Sequence, residues 1–170
     1  MQIFQDIEVY INPNPENAIY EYWYQLSKGG INMAYSNIKS IFISRYSRCL
    51  GVITNLNQQL WRRDVASVEI LDEKTFIEHT PEGYQTTFTI TVKDPFQRYE
   101  FDMENTNMKG HWVGVFAYHD GITTLDFTEN VEAKKIFMKP FVKGYLKKQQ
   151  INYINNLKDI LIQTNKMKEQ

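Results

Sequence analysis

The sequence has little cysteine, since Cys49 is the only one among its 170 residues. A single thiol excludes an internal disulfide and any zinc site built from several cysteines. It also points to a reducing compartment, where proteins rarely depend on disulfides. Cys49 has no histidine near it in the sequence, which favours a buried small side chain over a catalytic thiol.

Long apolar runs are missing as well. No stretch approaches the roughly 18 uninterrupted apolar residues of a membrane-spanning helix. Residues 1–6 lack the basic start and the apolar run of a signal peptide. Together with the single cysteine, these absences predict a cytoplasmic protein without a transmembrane segment.

Neither sign of charge is in excess, because the sequence has 19 Lys and Arg and 20 Asp and Glu, which give a net charge of −1. A nucleic-acid-binding protein normally has a strongly basic surface, so we expect no such partner. His79, His111 and His119 fit no metal motif, and no phosphate-binding or dinucleotide loop is present. The sequence therefore predicts neither a metal nor a cofactor.

Aromatic residues are abundant at 14%, which suits either a wide core or a cavity wall. Apolar and polar residues alternate in short segments that end at turn residues, among them Asp120-Gly121. Arg98–Glu104 alternates most clearly, with Tyr99, Phe101 and Met103 on one face. Hairpin-like links between the segments predict an antiparallel sheet. The predicted strands are residues 37–44, 65–71, 75–80, 84–93, 98–104, 111–118 and 122–129.

In the C-terminal part of the sequence, the spacing of apolar residues changes from every second position to every third or fourth. Apolar residues recur every three or four positions from Lys135 to Lys166, which predicts a long amphipathic helix. Pro140 indicates that its regular part begins near Lys139, and Gly144 weakens it by about 1 kcal/mol relative to alanine. A shorter helix is predicted from Tyr46, with another helical turn over residues 57–63. The order favours an α+β helix-grip fold, in which a curved antiparallel sheet wraps around the long helix and leaves an apolar cavity.

Residues 1–32 are predicted to form a strand and a helix. The strand covers residues 2–11. The helix begins at Asn14-Pro15, carries Ile19, Tyr20, Trp23 and Leu26 on one side, and ends at Gly29-Gly30.

Several motifs resemble the START-like superfamily, often called SRPBCC, which includes birch-pollen-allergen-like and polyketide cyclase-related proteins. The similar segments are Trp61-Arg62-Arg63-Asp64-Val65, Glu100-Phe101-Asp102-Met103-Glu104, Met108-Lys109-Gly110-His111-Trp112-Val113-Gly114, Asp120-Gly121-Ile122-Thr123-Thr124 and the terminal helix. The resemblance covers residues 33–170 and implies a helix-grip domain whose cavity binds lipids, sterols, polyketides, quinones or hormones. Some members of the superfamily are cyclases or dehydratases, and others activate chaperones.

Two departures from the pattern matter. The segment 44–49 stands where the first strand usually leads into a helix opened by proline or an acidic residue, so we expect an altered cavity mouth. Residues 1–32 have no place in the pattern and could be an extra edge element, a dimerisation arm or an upstream extension. Alternatively residues 2–27 are the true opening pair, and residues 33–60 are an insertion. We favour the first interpretation, because Trp61 then follows the helices at the usual distance.

Candidate ligand-binding residues follow from strand alternation and helix spacing, with core packing as the alternative for each apolar one. Trp112 lies beside Gly114, which leaves room, but a slip of one residue would reverse its face. Phe137, Phe141 and Tyr145 recur every four residues along the last helix. The predicted binding set is Trp61, Glu78, Phe88, Phe101, Met103, His111, Trp112, Phe127, Phe137, Phe141 and Tyr145.

Two members of this set are ionisable. If Phe76 and Glu78 face inward, the Glu78 carboxylate enters an apolar cavity and burial raises its pKa. The alternative is that Glu78 is solvated and Ile77 faces inward. His111 could enter the cavity as a hydrogen-bond donor or general acid.

Three functions stay open at this point. The leading one is binding or carriage of a small hydrophobic ligand. The second is a cyclase or dehydratase that uses Glu78 or His111 in acid–base catalysis. The third is a partner-binding module, such as a chaperone activator or stress-response adaptor, with Tyr20, Tyr22, Trp23 and Tyr24 as its surface. Six lysines from Lys134 to Lys148 form either a solvated face or a weak membrane contact. A homodimer is a further alternative.

Overall fold

The structure, a computed structural model, describes residues 19–28, 31–43, 46–95 and 97–166. The strands are β1 (Ile19–Lys28), β2 (Ile31–Ile43), β3 (Ser67–Ile70), β4 (Thr75–His79), β5 (Gln85–Asp94), β6 (Arg98–Glu104), β7 (Met108–His119) and β8 (Ile122–Ala133). The helices are α1 (Tyr46–Thr54) and α2 (Lys139–Lys166), and short 3₁₀ turns lie at Leu56–Gln58 and Ile136–Met138. The strands form one sheet in the order β1-β2-β8-β7-β6-β5-β4-β3.

Each neighbouring pair of strands is antiparallel. The β7–β8 hairpin is an example in which a tight turn reverses the direction of the chain. Asp120 and Gly121 have φ angles of 50° and 82°, which suit the tight turn that joins twisted strands. From this turn, β7 and β8 pair from His119 and Ile122 to Met108 and Ala133. β2 pairs with the other edge of β8, so the second and last described strands lie side by side and β1 stands at the edge of the sheet.

One face of the sheet is buried beneath α2. Burial alternates along β8, where every second residue from Thr123 to Ala133 is buried. The buried side chains of α2 recur every three or four residues, which places them on one helix face. They are Val142, Leu146, Gln150, Ile154, Leu157 and Leu161, and Asn156 next to Leu157 is buried as well.

The curved antiparallel sheet and the long C-terminal helix make a helix-grip α+β fold, which confirms the predicted fold class. α2 begins at Lys139, one residue before Pro140, as the proline indicated. The short helix predicted from Tyr46 is α1. Helical structure after it is confined to Leu56–Gln58, and Leu60 is largely exposed.

The helix predicted between Pro15 and Gly29 is wrong where the structure describes it. Residues 19–28 form β1, which pairs with β2 from Ile19 opposite Ser40 to Lys28 opposite Ile31. This segment is rich in aromatic residues that favour strands, and a long neighbouring strand supplies its backbone partners. The strand predicted at residues 2–11 lies outside the described residues. The boundary between residues 32 and 33 stays a prediction.

Candidate functional site

A cavity of about 950 Å³ lies between α2 and the sheet. Its walls come from β4 to β8 and from the first half of α2. The segments 80–85 and 105–108 line it as well. Tyr84 and Phe141 belong to the lining and are also largely exposed, so they mark the opening of the cavity.

Five aromatic rings form a continuous wall, one from each of five adjacent strands. Phe76 on β4 stacks on Phe88 of β5, with centroids 4.9 Å apart. Phe88 meets Phe101 of β6 edge-on at 5.2 Å. Trp112 of β7 then contacts both Phe101 and Phe127, each at 4.8 Å. Such a wall offers a large, rigid apolar surface to a flat or apolar molecule.

Gly114 fixes the position of the central ring in this wall. A Cβ at Gly114 would lie 2.4 Å from Cη2 of Trp112, so the indole occupies the space that glycine leaves open. Trp112, Gly114 and Phe116 are buried on the face beneath α2. The face of β7, which the sequence left open, is thereby settled.

An ion-pair cluster forms the polar side of the cavity. Arg62 Nη1 donates to Glu78 Oε1 at 2.5 Å, and Arg62 Nη2 donates to Asp64 Oδ2 at 2.8 Å. The Tyr153 ring lies against the guanidinium, 5.4 Å from its centroid to Cζ. Burial works against the charge of Arg62, but Glu78 and Asp64 raise its pKa above the ordinary value. Burial raises the pKa of Glu78, and Arg62 opposes that rise.

A second buried carboxyl, Glu129, lies beside the aromatic wall. Glu129 is opposite Trp112 in the β7–β8 pairing and is only 4% exposed. Its Oε2 accepts a hydrogen bond of 3.4 Å from Gln150 Nε2, and the Gln150 carbonyl oxygen accepts one from Ser36 Oγ. Burial raises the pKa of Glu129 to about 7, although Gln150 and the charge of Arg62 pull it down. Glu129 can therefore gain or lose a proton near neutral pH.

Tyrosine hydroxyls complete the polar groups of the cavity. Burial, with the charge of Glu78, raises the pKa of Tyr99 to about 12. Burial also raises the pKa of Tyr153. Both hydroxyls stay protonated at neutral pH and can donate hydrogen bonds to a ligand. Among the described residues, no group of three His, Cys, Asp or Glu side chains could hold a metal ion.

Comparison of the sequence with protein-family models and with curated proteins gave no match. Solved structures are similar. A conserved protein from Geobacillus kaustophilus has a TM-score of 0.67 at 12% identity, over 76% of this chain and 96% of that chain. A START superfamily protein from Mycobacterium smegmatis has a TM-score of 0.67 at 10% identity, over 78% and 98%.

The chain has the START-like helix-grip fold. The Zhui aromatase/cyclase from Streptomyces sp. R1128 shares it, with a TM-score of 0.66 at 12% identity, over 74% of this chain and 91% of that chain. The likeness confirms the fold that the sequence resemblance implied. No helix in the described part of the chain is long and apolar enough to cross a membrane.

Eight of the eleven predicted binding residues line the START-like cavity, and whether they contact a ligand stays a prediction. Strand alternation places most of them correctly, because each strand keeps one face beneath α2. The eight are Glu78, Phe88, Phe101, Met103, Trp112, Phe127, Phe141 and Tyr145.

Three predicted residues lie elsewhere. His111 precedes Trp112, so its side chain lies on the opposite face, where its ring nitrogens pair with Asp102 at 2.7 Å and Glu100 at 3.2 Å. Trp61 packs edge-on against Tyr153 at 5.1 Å and is outside the cavity lining. Phe137 belongs to the 3₁₀ turn before α2 and is 72% exposed.

Three important residues of the cavity were missed from the sequence. Arg62 lay within a motif, but nothing in the sequence showed its ion pairs. Glu129 is two residues after Phe127 on β8 and therefore lies on the same face of the strand. Since Phe127 was already expected to face inward, strand alternation could have predicted Glu129 as well. Tyr153 lies eight residues beyond Tyr145, so extending the four-residue spacing would have reached it.

Proposed function

We propose that this chain binds or carries a small hydrophobic molecule in the cavity between α2 and the sheet. The observation that supports this most is an open volume of about 950 Å³ beside five contacting aromatic rings. Ligand sites of this size are typically apolar with a few polar groups that fix orientation. Burying roughly 200 Å² of ligand surface would contribute on the order of 5 kcal/mol.

A matched pair of variants on β5 tests this proposal. Thr86 lines the cavity, whereas its neighbour Thr87 faces the other side of the sheet and is exposed. We expect Thr86→Trp to fill part of the cavity and to weaken binding of the neutral fluorophore N-phenyl-1-naphthylamine at least tenfold. Thr87→Trp adds the same side chain outside the cavity and should leave the affinity within about twofold of the unchanged protein.

Two outcomes would contradict the proposal. One is a native protein that does not enhance the emission of the fluorophore and shows no bound apolar molecule in native mass spectrometry. The other is equal loss of binding in both variants, since that would place the fluorophore outside the cavity.

A cyclase or dehydratase activity is the second candidate, supported by the polar groups that converge on the cavity. Glu78, Tyr99 and Tyr153 all belong to its lining. The role considered for His111 is not retained, because its side chain lies on the other face. The test is to offer the protein a linear poly-β-keto thioester and to look for loss of water by mass spectrometry. Unchanged substrate at the uncatalysed rate would reject this activity.

A membrane contact at the opening is a further proposal about the same site. Ile136 and Phe137 are 81% and 72% exposed just before α2. Phe141, in the cavity lining, is 74% exposed. Lysines from Lys134 to Lys148 surround them in the sequence, and exposed aromatic residues with lysines suit an anionic membrane surface.

The remaining roles are proposals with less support. A cytoplasmic location is favoured by the single cysteine, which is buried. A partner-binding or homodimer surface is proposed for residues 1–32, whose described part, β1, stands at one end of the strand order. Pull-down and sedimentation of the full chain against a variant that lacks residues 1–32 would test this surface. Unchanged partners and unchanged mass would reject it.

A further inference from the structure

The charges on the cavity wall are unbalanced. Arg62 is the guanidinium of the polar cluster, and it faces both Glu78 and Asp64. Glu129 adds a third carboxyl to the same lining. The other charged residues of the lining, Arg63, Glu82 and Lys148, are exposed, so Arg62 is the one cation that the described lining buries beside these three carboxyl groups.

The hydrogen bonds of Arg62 in the described structure go to Glu78 and Asp64 and not to Glu129. Its two terminal nitrogens already donate to Glu78 and Asp64 at 2.5 and 2.8 Å. Glu129 bonds instead to the neutral amide of Gln150, at 3.4 Å. A buried carboxylate with only a neutral partner is unfavourable unless a cation or a proton compensates its charge.

A second acceptor lies in the same wall. Gln149 follows Tyr145 by one helical turn and precedes the Gln150 that bonds Glu129. Its Oε1 is buried and accepts no hydrogen bond from the residues that the structure describes. Buried acceptors without donors are rare in folded proteins, which points to a donor supplied by a bound molecule.

An aromatic residue neighbours each of the two acceptors. Trp112 is opposite Glu129 in the strand pairing, and Tyr145 lies one helical turn before Gln149. Burial, and after it the charge of Glu129, raises the pKa of the Tyr145 hydroxyl. Aromatic faces attract cations once water is excluded.

We propose that the ligand of this cavity is an apolar amine, whose protonated nitrogen donates to Glu129 and Gln149 while its body lies on the aromatic wall. This inference rests on the proposed function. It specifies the chemical class of the ligand, because an ammonium group supplies both the missing positive charge and the missing donors. A carboxylate ligand would add a fourth negative group to the same wall.

Three probes with the same naphthalene body test the proposal at pH 7.5. They are 1-naphthylmethylamine, 1-naphthalenemethanol and 1-naphthoic acid, which carry a cation, a neutral hydroxyl and an anion. Each competes with N-phenyl-1-naphthylamine, and its affinity follows from the loss of fluorescence. We expect the amine to bind at least tenfold more tightly than the acid and more tightly than the alcohol.

Glu129→Gln removes the charge and keeps the shape of the side chain. We expect it to weaken the amine about tenfold and to change the alcohol less than twofold. Glu132→Gln is the matched control, because Glu132 lies on the same strand but faces the other side and pairs with Lys109 at 3.1 Å. It should leave all three affinities unchanged.

The possible outcomes distinguish a failure of the amine proposal from a failure of the proposed ligand-binding function. Equal affinities for amine and acid in the unchanged protein would overturn the amine proposal and leave the hydrophobic cavity intact. The same result follows if Glu129→Gln weakens amine and alcohol equally. A protein that binds neither the fluorophore nor any probe would overturn both proposals.

Discussion

Trp112 lies flat on Phe101, with ring centroids 4.8 Å apart and ring planes 4° from parallel. The two residues are directly opposite each other on β7 and β6. The indole also extends over Gly114, two residues along its own strand. The centre of the cavity wall therefore depends on a glycine that leaves space for a neighbouring ring.

Gly114→Ala should destabilise the protein by about 1–3 kcal/mol, because the new methyl group would overlap the indole and force it from its place. Urea unfolding measures the change in the free energy of unfolding. Near-ultraviolet circular dichroism should change as well, since the environment of Trp112 is disturbed. A variant with unchanged stability and spectrum would refute this geometry.

Gly144→Ala is the matched contrast for that substitution. Gly144 lies in α2 with open space around its Cα, so a methyl group meets no neighbour. We expect a gain of about 1 kcal/mol from the higher helix propensity of alanine. The same chemical change should therefore have opposite signs at the two glycines.

Arg62→Met should cost about 3–5 kcal/mol, because it leaves Glu78 buried without the guanidinium that compensates its charge. Glu78→Gln in the same chain should restore much of that loss. A double-mutant cycle by urea unfolding gives the coupling energy of the pair. Additive effects of the two substitutions would show that the ion pair contributes no coupling.

Glu129 should make stability depend on pH. Burial raises its pKa from 4.5 to about 7, so the folded protein keeps a proton that the unfolded chain has released. Stability contributed by this proton is present below about pH 4.5 and declines as pH rises to about 7 and above, by at most about 3 kcal/mol. Glu129→Gln should therefore be more stable than the native protein at pH 8 and similar to it at pH 4.5.

The measurement is the difference in unfolding free energy between Glu129→Gln and the native protein from pH 4.5 to 8. Charged or titrating groups near Glu129 include Arg62 and Tyr145. Both keep their protons over this range, so they contribute little to the difference. A difference that stays constant with pH would mean that Glu129 titrates normally and is not buried as described.

The exposed residues before α2 should control membrane contact. Replacing Ile136 and Phe137 together by serine should weaken sedimentation with anionic phosphatidylglycerol vesicles at least fivefold, and added salt should weaken the native protein too. Leu71→Ser is the control, because Leu71 is similarly exposed in the β3–β4 turn and is outside the cavity lining. Equal binding by all three proteins would reject a membrane contact at this position.

The alternation of apolar and polar residues was sufficient to predict most of the strands. In Arg98–Glu104 the residues Tyr99 and Met103 are buried as the pattern predicted, because a strand with one covered face repeats every two residues. Glu100, which the pattern placed on the solvent face, is buried as well. Pro140 placed the start of α2 to the residue. The local sequence was sufficient to predict an element wherever one face of that element is covered along its length.

Long-range pairing explains what the sequence did not show. Residues 19–28 have apolar spacing that fits a helix, yet they form a strand because β2 supplies partners for their backbone hydrogen bonds. Phe137 belongs to the 3₁₀ turn before α2, so the four-residue spacing of an α-helix does not extend back to it. The ion pair of Arg62 with Glu78 joins residues 16 positions apart, which no local pattern encodes.

A crystal structure of the protein grown with 1-bromonaphthalene tests the central claim most directly. The anomalous signal of bromine locates the ligand without ambiguity. We predict one peak between α2 and the aromatic wall, within van der Waals contact of Trp112 or Phe101. Bromine found only on the outer surface, or side chains that fill the space between α2 and the sheet, would contradict a ligand-binding cavity.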